Sequence, residues 1–229
     1  MKSITRVFST TLLFFLFSLN AYSYPVYWTD WLSEDSPSSA TGQLDIGGTI
    51  IDVSYTSSSN HYFTQTTGAG TNYWSGDAYT NGSIDNAPPA AELIALGSAG
   101  DVTISFSSAI ENVYIAINSW NGQDALFSTP IEFESTGSGY WGNGTATMNS
   151  SGDGFTASGE LHGVIIAAGS HTSISFTHLT EVWHGFTIGV AGEADIVDPD
   201  PDDIPEPSLI AIFALGLLML GRLQLKNTN

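Results

Sequence analysis

The chain has 229 residues, of which only 12% are charged and 12% aromatic, with 24 glycines and no cysteine. That length and apolar content suit one folded domain with appendages, and the missing cysteine excludes a disulfide framework, a thiolate metal site and a Cys nucleophile. Four basic residues, Lys2, Arg6, Arg222 and Lys226, occupy the ends, while all 23 acids lie between Asp30 and Glu206, so nothing in the middle can neutralise phosphate and nucleic acid is not an expected partner.

At the N-terminus, Lys2 and Arg6 precede the apolar run 12–17, and Ala21 and Ser23 are small residues at −3 and −1 before Tyr24. Basic start, apolar core and small-residue cut site are the order of a secretory signal peptide over residues 1–23, formed as a helix and removed before Tyr24. The run is too short for a comfortable membrane span. The secretion translocon and signal peptidase are the partners this implies.

Residues 24–192 read as an extracellular all-β domain. Leu44 and Ile46 alternate with Asp45, Ile51 to Tyr55 alternate again, and Gly47-Gly48 between them predicts a two-residue hairpin turn. Val102, Ile104 and Phe106 alternate with Thr103 and Ser105; Val113, Ile115 and Ile117 alternate with Tyr114, Ala116 and Asn118. Ile174 and Phe176, then Phe186, Ile188 and Val190, close the series. Only Ala90 to Leu96 suggests a short helical turn. Many short strands between Gly, Ser and Asn clusters predict an antiparallel β-sandwich or jelly roll.

Residues 193–204 include Asp198-Pro199-Asp200-Pro201-Asp202-Asp203, a stiff acidic spacer rather than a calcium loop. Then come Pro205-Glu206-Pro207, the apolar run Leu209 to Gly221, and a basic end with Arg222 and Lys226. As a helix that run is about 20 Å long, and extension through Leu225 with Arg222 at the boundary brings it towards a span. Basic residues stay cytoplasmic, which places the acidic domain outside.

This triad resembles the PEP-CTERM sorting signal of Gram-negative bacteria, over residues 205–229. The resemblance implies a C-terminal membrane helix, recognition by an exosortase-type membrane protease at Pro205, Glu206 and Pro207, and transient anchoring in the inner membrane before delivery to the cell envelope or surface. It also implies an association with exopolysaccharide and biofilm. Three further segments, Asn118-Ser119-Trp120-Asn121-Gly122, Gly139-Tyr140-Trp141-Gly142-Asn143-Gly144 and Glu181-Val182-Trp183-His184-Gly185-Phe186-Thr187, look like stretches recurring in uncharacterised PEP-CTERM proteins. No activity comes with that likeness.

No catalytic motif is present, and His61, His162, His171, His178 and His184 sit in none. The chain reads as non-enzymatic, with no cofactor required. Glu132 and Glu134 would share one strand face, the remnant of a glycosidase reading. Trp120, Tyr140, Trp141 and Trp183 are candidate glycan contacts, because flat rings bordered by amides and acids suit sugar faces. Core positions are the competing assignment for most of them. On strand parity, His184 should face the core and Trp183 the opposite side. Asp77, Asp85, Asp101, Asp124 and Asp153 in turn-like sequence are candidate Ca²⁺ ligands or simple turn acids, and no metal set can be assigned. The function expected is an adhesive or structural surface protein that binds polysaccharide; a secreted polysaccharide-active enzyme and a purely structural coat protein are the alternatives.

Overall fold

The computed structural model describes residues 24–66, 68 and 70–191. The signal segment with Ala21 and Ser23, the acidic spacer, and the tail with Pro205, Glu206, Pro207 and Arg222 lie outside the described residues. Among those described, no helix is long and apolar enough to cross a membrane.

The domain is all-β. In chain order it runs β1 (Val26–Trp28), β2 (Asp30–Ser36), β3 (Ser39–Ile46), β4 (Thr49–Ser57), β5 (His61–Gln65), a 3₁₀ turn (Asp77–Tyr79), β6 (Leu93–Leu96), β7 (Gly100–Trp120) and β8 (Asp124–Phe127). It continues with β9 (Glu132–Thr136), β10 (Gly144–Met148), β11 (Gly154–Gly159), β12 (Leu161–His178) and β13 (His184–Ala191). Hydrogen bonding links the strands into one large sheet along β10-β11-β8-β12-β7-β13-β6-β5, and every strand ladder is antiparallel. The segment read as a helical turn, Ala90 to Leu96, instead supplies β6, whose residues pair with both β5 and β13. Tertiary pairing overrides the helical leaning of Ala and Leu in so short a run.

Two strands organise everything else. β7 has 21 residues and β12 has 18, and they pair along their whole length from Leu161↔Trp120 to His178↔Gly100. Register shifts at Ala167/Ser170 and His171/Ser173 interrupt that ladder midway, and Asn112 stands at φ +56° nearby. Bulges bend strands. One half of β7, Val102 to Phe106, pairs with β4; the other, Val113 to Asn118, pairs with β13.

Both halves contribute to one large core. Val53, Tyr55, Ile104, Phe127, Phe155 and Phe176 enter it from one half; Ile94, Ile115, Ile117, Ile165, Phe186 and Ile188 enter from the other. Burying such side chains is worth roughly 1.5–3 kcal/mol each. Alternation survives where one face meets water: in β4, Ile51, Val53 and Tyr55 are buried while Asp52 is exposed. It fails from Val113 to Trp120, where every residue is buried. The reason is a second core on the far face, where Val26, Trp28, Trp74, Tyr79, Ile84 and Leu93 pack over Tyr114, Ala116 and Val164.

The expected hairpin forms as read. β3 and β4 pair from Ser39↔Thr56 to Ile46↔Thr49, with Gly47 at φ +60° and Gly48 at φ +94°. Two positive φ values make the type I′ turn that matches strand twist. Asp45 closes it, its Oδ1 accepting the Gly48 N–H at 2.7 Å.

Candidate functional site: an aromatic rim

The segments 118–122, 139–144 and 181–187, which shared a texture in the sequence, meet at one edge of the domain. Gly139 and Gly142 exchange backbone bonds (2.7 and 3.3 Å) and hold Tyr140 and Trp141 at the tip of a tight turn. Gly139 can only be glycine there, because a Cβ would collide with the His162 ring. Trp183 sits just before β13, with its neighbour His184 already inside the main core. Parity therefore sends Trp183 to the other side, where it packs against the second core.

The rings form a connected series. Tyr140 lies 4.8 Å from Trp141 and 5.1 Å from Tyr73 between centroids. Tyr73 lies 5.0 Å from Trp183, which lies 5.3 Å from Phe63 and 6.3 Å from Trp141. Tyr62 extends the series from Phe63 at 5.8 Å. These are edge-to-face contacts, the favoured geometry between aromatic quadrupoles. Phe63, Tyr73 and Trp183 are half-buried against the second core, while Tyr62 (61%), Trp141 (51%) and Tyr140 (43%) face solvent. The platform is thus anchored beneath and open above.

Trp120 is not part of it. Its side chain is fully buried, its indole N–H donates to the Gly185 carbonyl at 2.8 Å, and its ring packs on Phe155, Phe176 and His184. A sealed ring cannot stack on a ligand, so Trp120 leaves the list of glycan contacts. Tyr62, Phe63 and Tyr73, which sequence reasoning passed over, join it. The signal for Tyr62 and Phe63 would have been the pairing of β5 with β6 and of β6 with β13, and for Tyr73 the bond from Asn118 to its carbonyl, all long-range facts.

Two carboxylates gather around Asn121, in the segment 118–122. Glu181 Oε2 accepts the Asn121 N–H (3.3 Å) and the Gln123 side-chain amide (3.2 Å), and His184 Nδ1 stands 3.3 Å away. Glu160 accepts from Ser119 Oγ at 2.5 Å and from the Asn121 side-chain amide at 3.1 Å. Ser119 holds φ +58°, a left-handed conformation that costs a non-glycine residue about 1 kcal/mol or more.

A buried polar layer ties the three segments together. His162 Nδ1 meets the Tyr79 hydroxyl at 3.0 Å and accepts the Ser119 N–H at 3.3 Å. Asn118 donates to the Tyr73 carbonyl at 2.5 Å and to the Tyr79 hydroxyl at 3.2 Å. Burial pushes the Tyr79 hydroxyl well above its ordinary range and drives His162 down to about 4. Both groups are therefore neutral at pH 7, and their bonds link Tyr73, through Asn118, to Ser119.

The remaining candidates are dispersed. Asp153 accepts from Asn149 and Ser151 in its own turn, bonds that hold its carboxyl below the usual range. Asp77 accepts the Ser138 N–H and Asp124 the Thr156 hydroxyl. Among the described residues no three His, Asp or Glu side chains gather as a metal ligand set. Glu132 and Glu134 do not stand as a regular same-face pair, because the register shift at Val164/Ile165 leaves Glu134 without a residue opposite, and Glu134 is taken by Ser83 Oγ. A depression of about 510 Å³, lined by Leu32, Gln43, Asp52, Val53 and Phe106 among others, shares no residue with the rim.

No protein family matches the chain, and no curated protein or solved structure does either.

Proposed function

We propose that this is an exported surface or matrix protein, without enzymatic activity, whose β domain binds polysaccharide through the aromatic rim. The carrying observation is the series Tyr62, Phe63, Trp183, Tyr73, Tyr140 and Trp141, open to solvent on one side, on segments that also carry the hydrogen-bonded group Glu160, Asn121 and Glu181. Flat rings take the C–H faces of sugars, and amide and carboxylate groups take hydroxyls. The β7–β12 ladder, interrupted midway by register shifts and with one core shared by its halves, supports reading the domain as a β-sandwich.

The basic, apolar and small-residue order of residues 1–23 supports export with cleavage before Tyr24, and Pro205-Glu206-Pro207 with Arg222 supports exosortase-type sorting. Tyr24 is held in the domain: its N–H donates to the Ser83 carbonyl at 3.0 Å and its hydroxyl meets that of Tyr114 at 2.7 Å. A cut before it leaves those bonds intact.

The test is a polysaccharide pull-down and glycan array with the processed protein, with and without Ca²⁺. Binding abolished by Trp141→Ala and Trp183→Ala, in variants that keep the wild-type unfolding transition, supports the reading. Binding indifferent to both would remove the rim as the site. No binding at all would leave a structural coat protein. A Ca²⁺ requirement would add a metal to the site.

A further inference from the structure

We infer that the rim takes amino-sugar polymers, glycans bearing free ammonium groups, in preference to neutral or uronic-acid polymers; this rests on the glycan-binding reading above. Three observations converge on it.

The first is charge. Residues 24–191 contain no lysine and no arginine. A uronate or sulfate placed on this surface meets no lysine or arginine and is repelled by the acidic domain, whereas an ammonium is attracted from a distance.

The second is the rings. The face of an aromatic ring is its negative side, so a cation above it is favoured by roughly 0.5–1 kcal/mol at an exposed site. Trp141 and Tyr140, about half exposed, offer such faces beside Trp183. An N-acetyl group keeps the sugar's C–H face for stacking and forfeits this term.

The third is a pair of carboxylates on segments adjoining the rings: Glu181 stands two residues before Trp183, and Glu160 bonds Ser119, whose N–H reaches the His162 ring that packs against Gly139. The partners of Glu160 are neutral donors, Ser119 and Asn121; those of Glu181 are Asn121, Gln123 and the imidazole of His184. No lysine or arginine is there to neutralise either. Asn121 bonds both, so the two carboxylates flank one residue. Each keeps acceptor capacity for an ammonium, and a charge-assisted bond of that kind is about twice as strong as a neutral one.

The experiment uses the full chain and four tetrasaccharides as probes: a glucosamine oligomer, its N-acetylated counterpart, a neutral glucose oligomer and a galacturonate oligomer. Short probes limit the avidity that any acidic surface shows for a long polycation. Expected is a preference of about tenfold or more for the glucosamine oligomer over the N-acetylated one, shrinking at ~0.5 M salt. Glu160→Gln with Glu181→Gln should remove that preference while leaving binding of the neutral probes. Asp153→Asn, in the turn between β10 and β11, should leave it intact. Equal affinity for the amino and N-acetyl probes would overturn the inference and leave the glycan-binding reading standing. A loss with Asp153→Asn as large as with the Glu160 and Glu181 pair would overturn it too, by showing diffuse attraction. No affinity for any probe, unchanged by Trp141→Ala, would count against the glycan reading itself.

Discussion

Trp120 and Trp141 stand in nearly the same local sequence, each among Asn and Gly, and end in opposite places. Trp120 is the last residue of β7, opposite Leu161 of β12, and contributes its ring to the main core. Trp141 sits in a turn outside every ladder and is half exposed. Composition around a tryptophan therefore does not assign it to core or surface; the ladder does. The same division separates two acids, since Glu92 is buried with its Oε2 accepting the Trp31 N–H at 2.5 Å, while Glu181 keeps some exposure and accepts from Asn121 and Gln123.

The largest expected effect tests the sealed member. Trp120→Ala removes a fully buried indole and leaves the Gly185 carbonyl without its donor. A loss of about 3–5 kcal/mol is expected in denaturant unfolding. A loss below about 1 kcal/mol would mean the site collapses freely and would erase the contrast with the rim.

Glu92 gives the next effect, through pH. Burial raises its carboxyl from 4.5 to about 7, against the backbone bond from Trp31. With the folded value above the unfolded one, the protonated folded state is favoured below pH 4.5, and that stability drains away as pH rises to about 7. Each unit is worth about 1.4 kcal/mol, so on the order of 3 kcal/mol is at stake. Buried His162 and His178, both lowered from 6.5 to about 4, act with the opposite sign: their contribution is complete above pH 6.5 and is lost as pH falls towards 4. Glu92→Gln should therefore gain on the wild type steadily between pH 4.5 and 7, read as the difference in unfolding free energy. Parallel pH curves for the two proteins would show that Glu92 is solvated like an exposed acid.

How much of this was legible follows the same division. The β3–β4 hairpin could be read because two glycines between alternating runs admit few other structures. Val102 to Phe106 and Ile174 to Phe176 could be read because one face is apolar and the other polar. Val113 to Trp120 misled: Tyr114, Ala116 and Asn118 alternate as an outer face should, yet the segment around Trp74, Tyr79 and Ile84 buries them. That cover has no period of its own, so nothing local announced it. The rim was half legible. Tyr140, Trp141 and Trp183 carried a recognisable texture, but Tyr62 and Phe63 meet them through β5–β6–β13 pairing and Tyr73 through its bond from Asn118, which a linear reading cannot see.

Turn glycines sharpen the comparison on a smaller scale. Gly48 stands at φ +94° with open space around it, so Gly48→Ala should cost about 1 kcal/mol of backbone strain and leave rim binding unchanged. Gly139→Ala meets the His162 ring instead, and should weaken glycan binding as well as stability by shifting Tyr140 and Trp141. Equal binding by the two variants would show that the 139–142 turn does not position the platform.

The smallest expected change in stability is at Trp141, and it carries the most information. Its ring meets those of Tyr140 and Trp183 in edge-to-face pairs and leaves half its surface in water. Trp141→Ala should shift unfolding by no more than about 1 kcal/mol, since truncation opens no closed cavity and the neighbouring rings can close over the gap. Affinity for a bound glycan should fall about tenfold or more, because an exposed aromatic anchor contributes through the ligand alone. An unfolding loss of several kcal/mol with binding intact would invert this. Trp141 would then be an outlying part of the second core, and the distinction between sealed and open tryptophans would be one of degree.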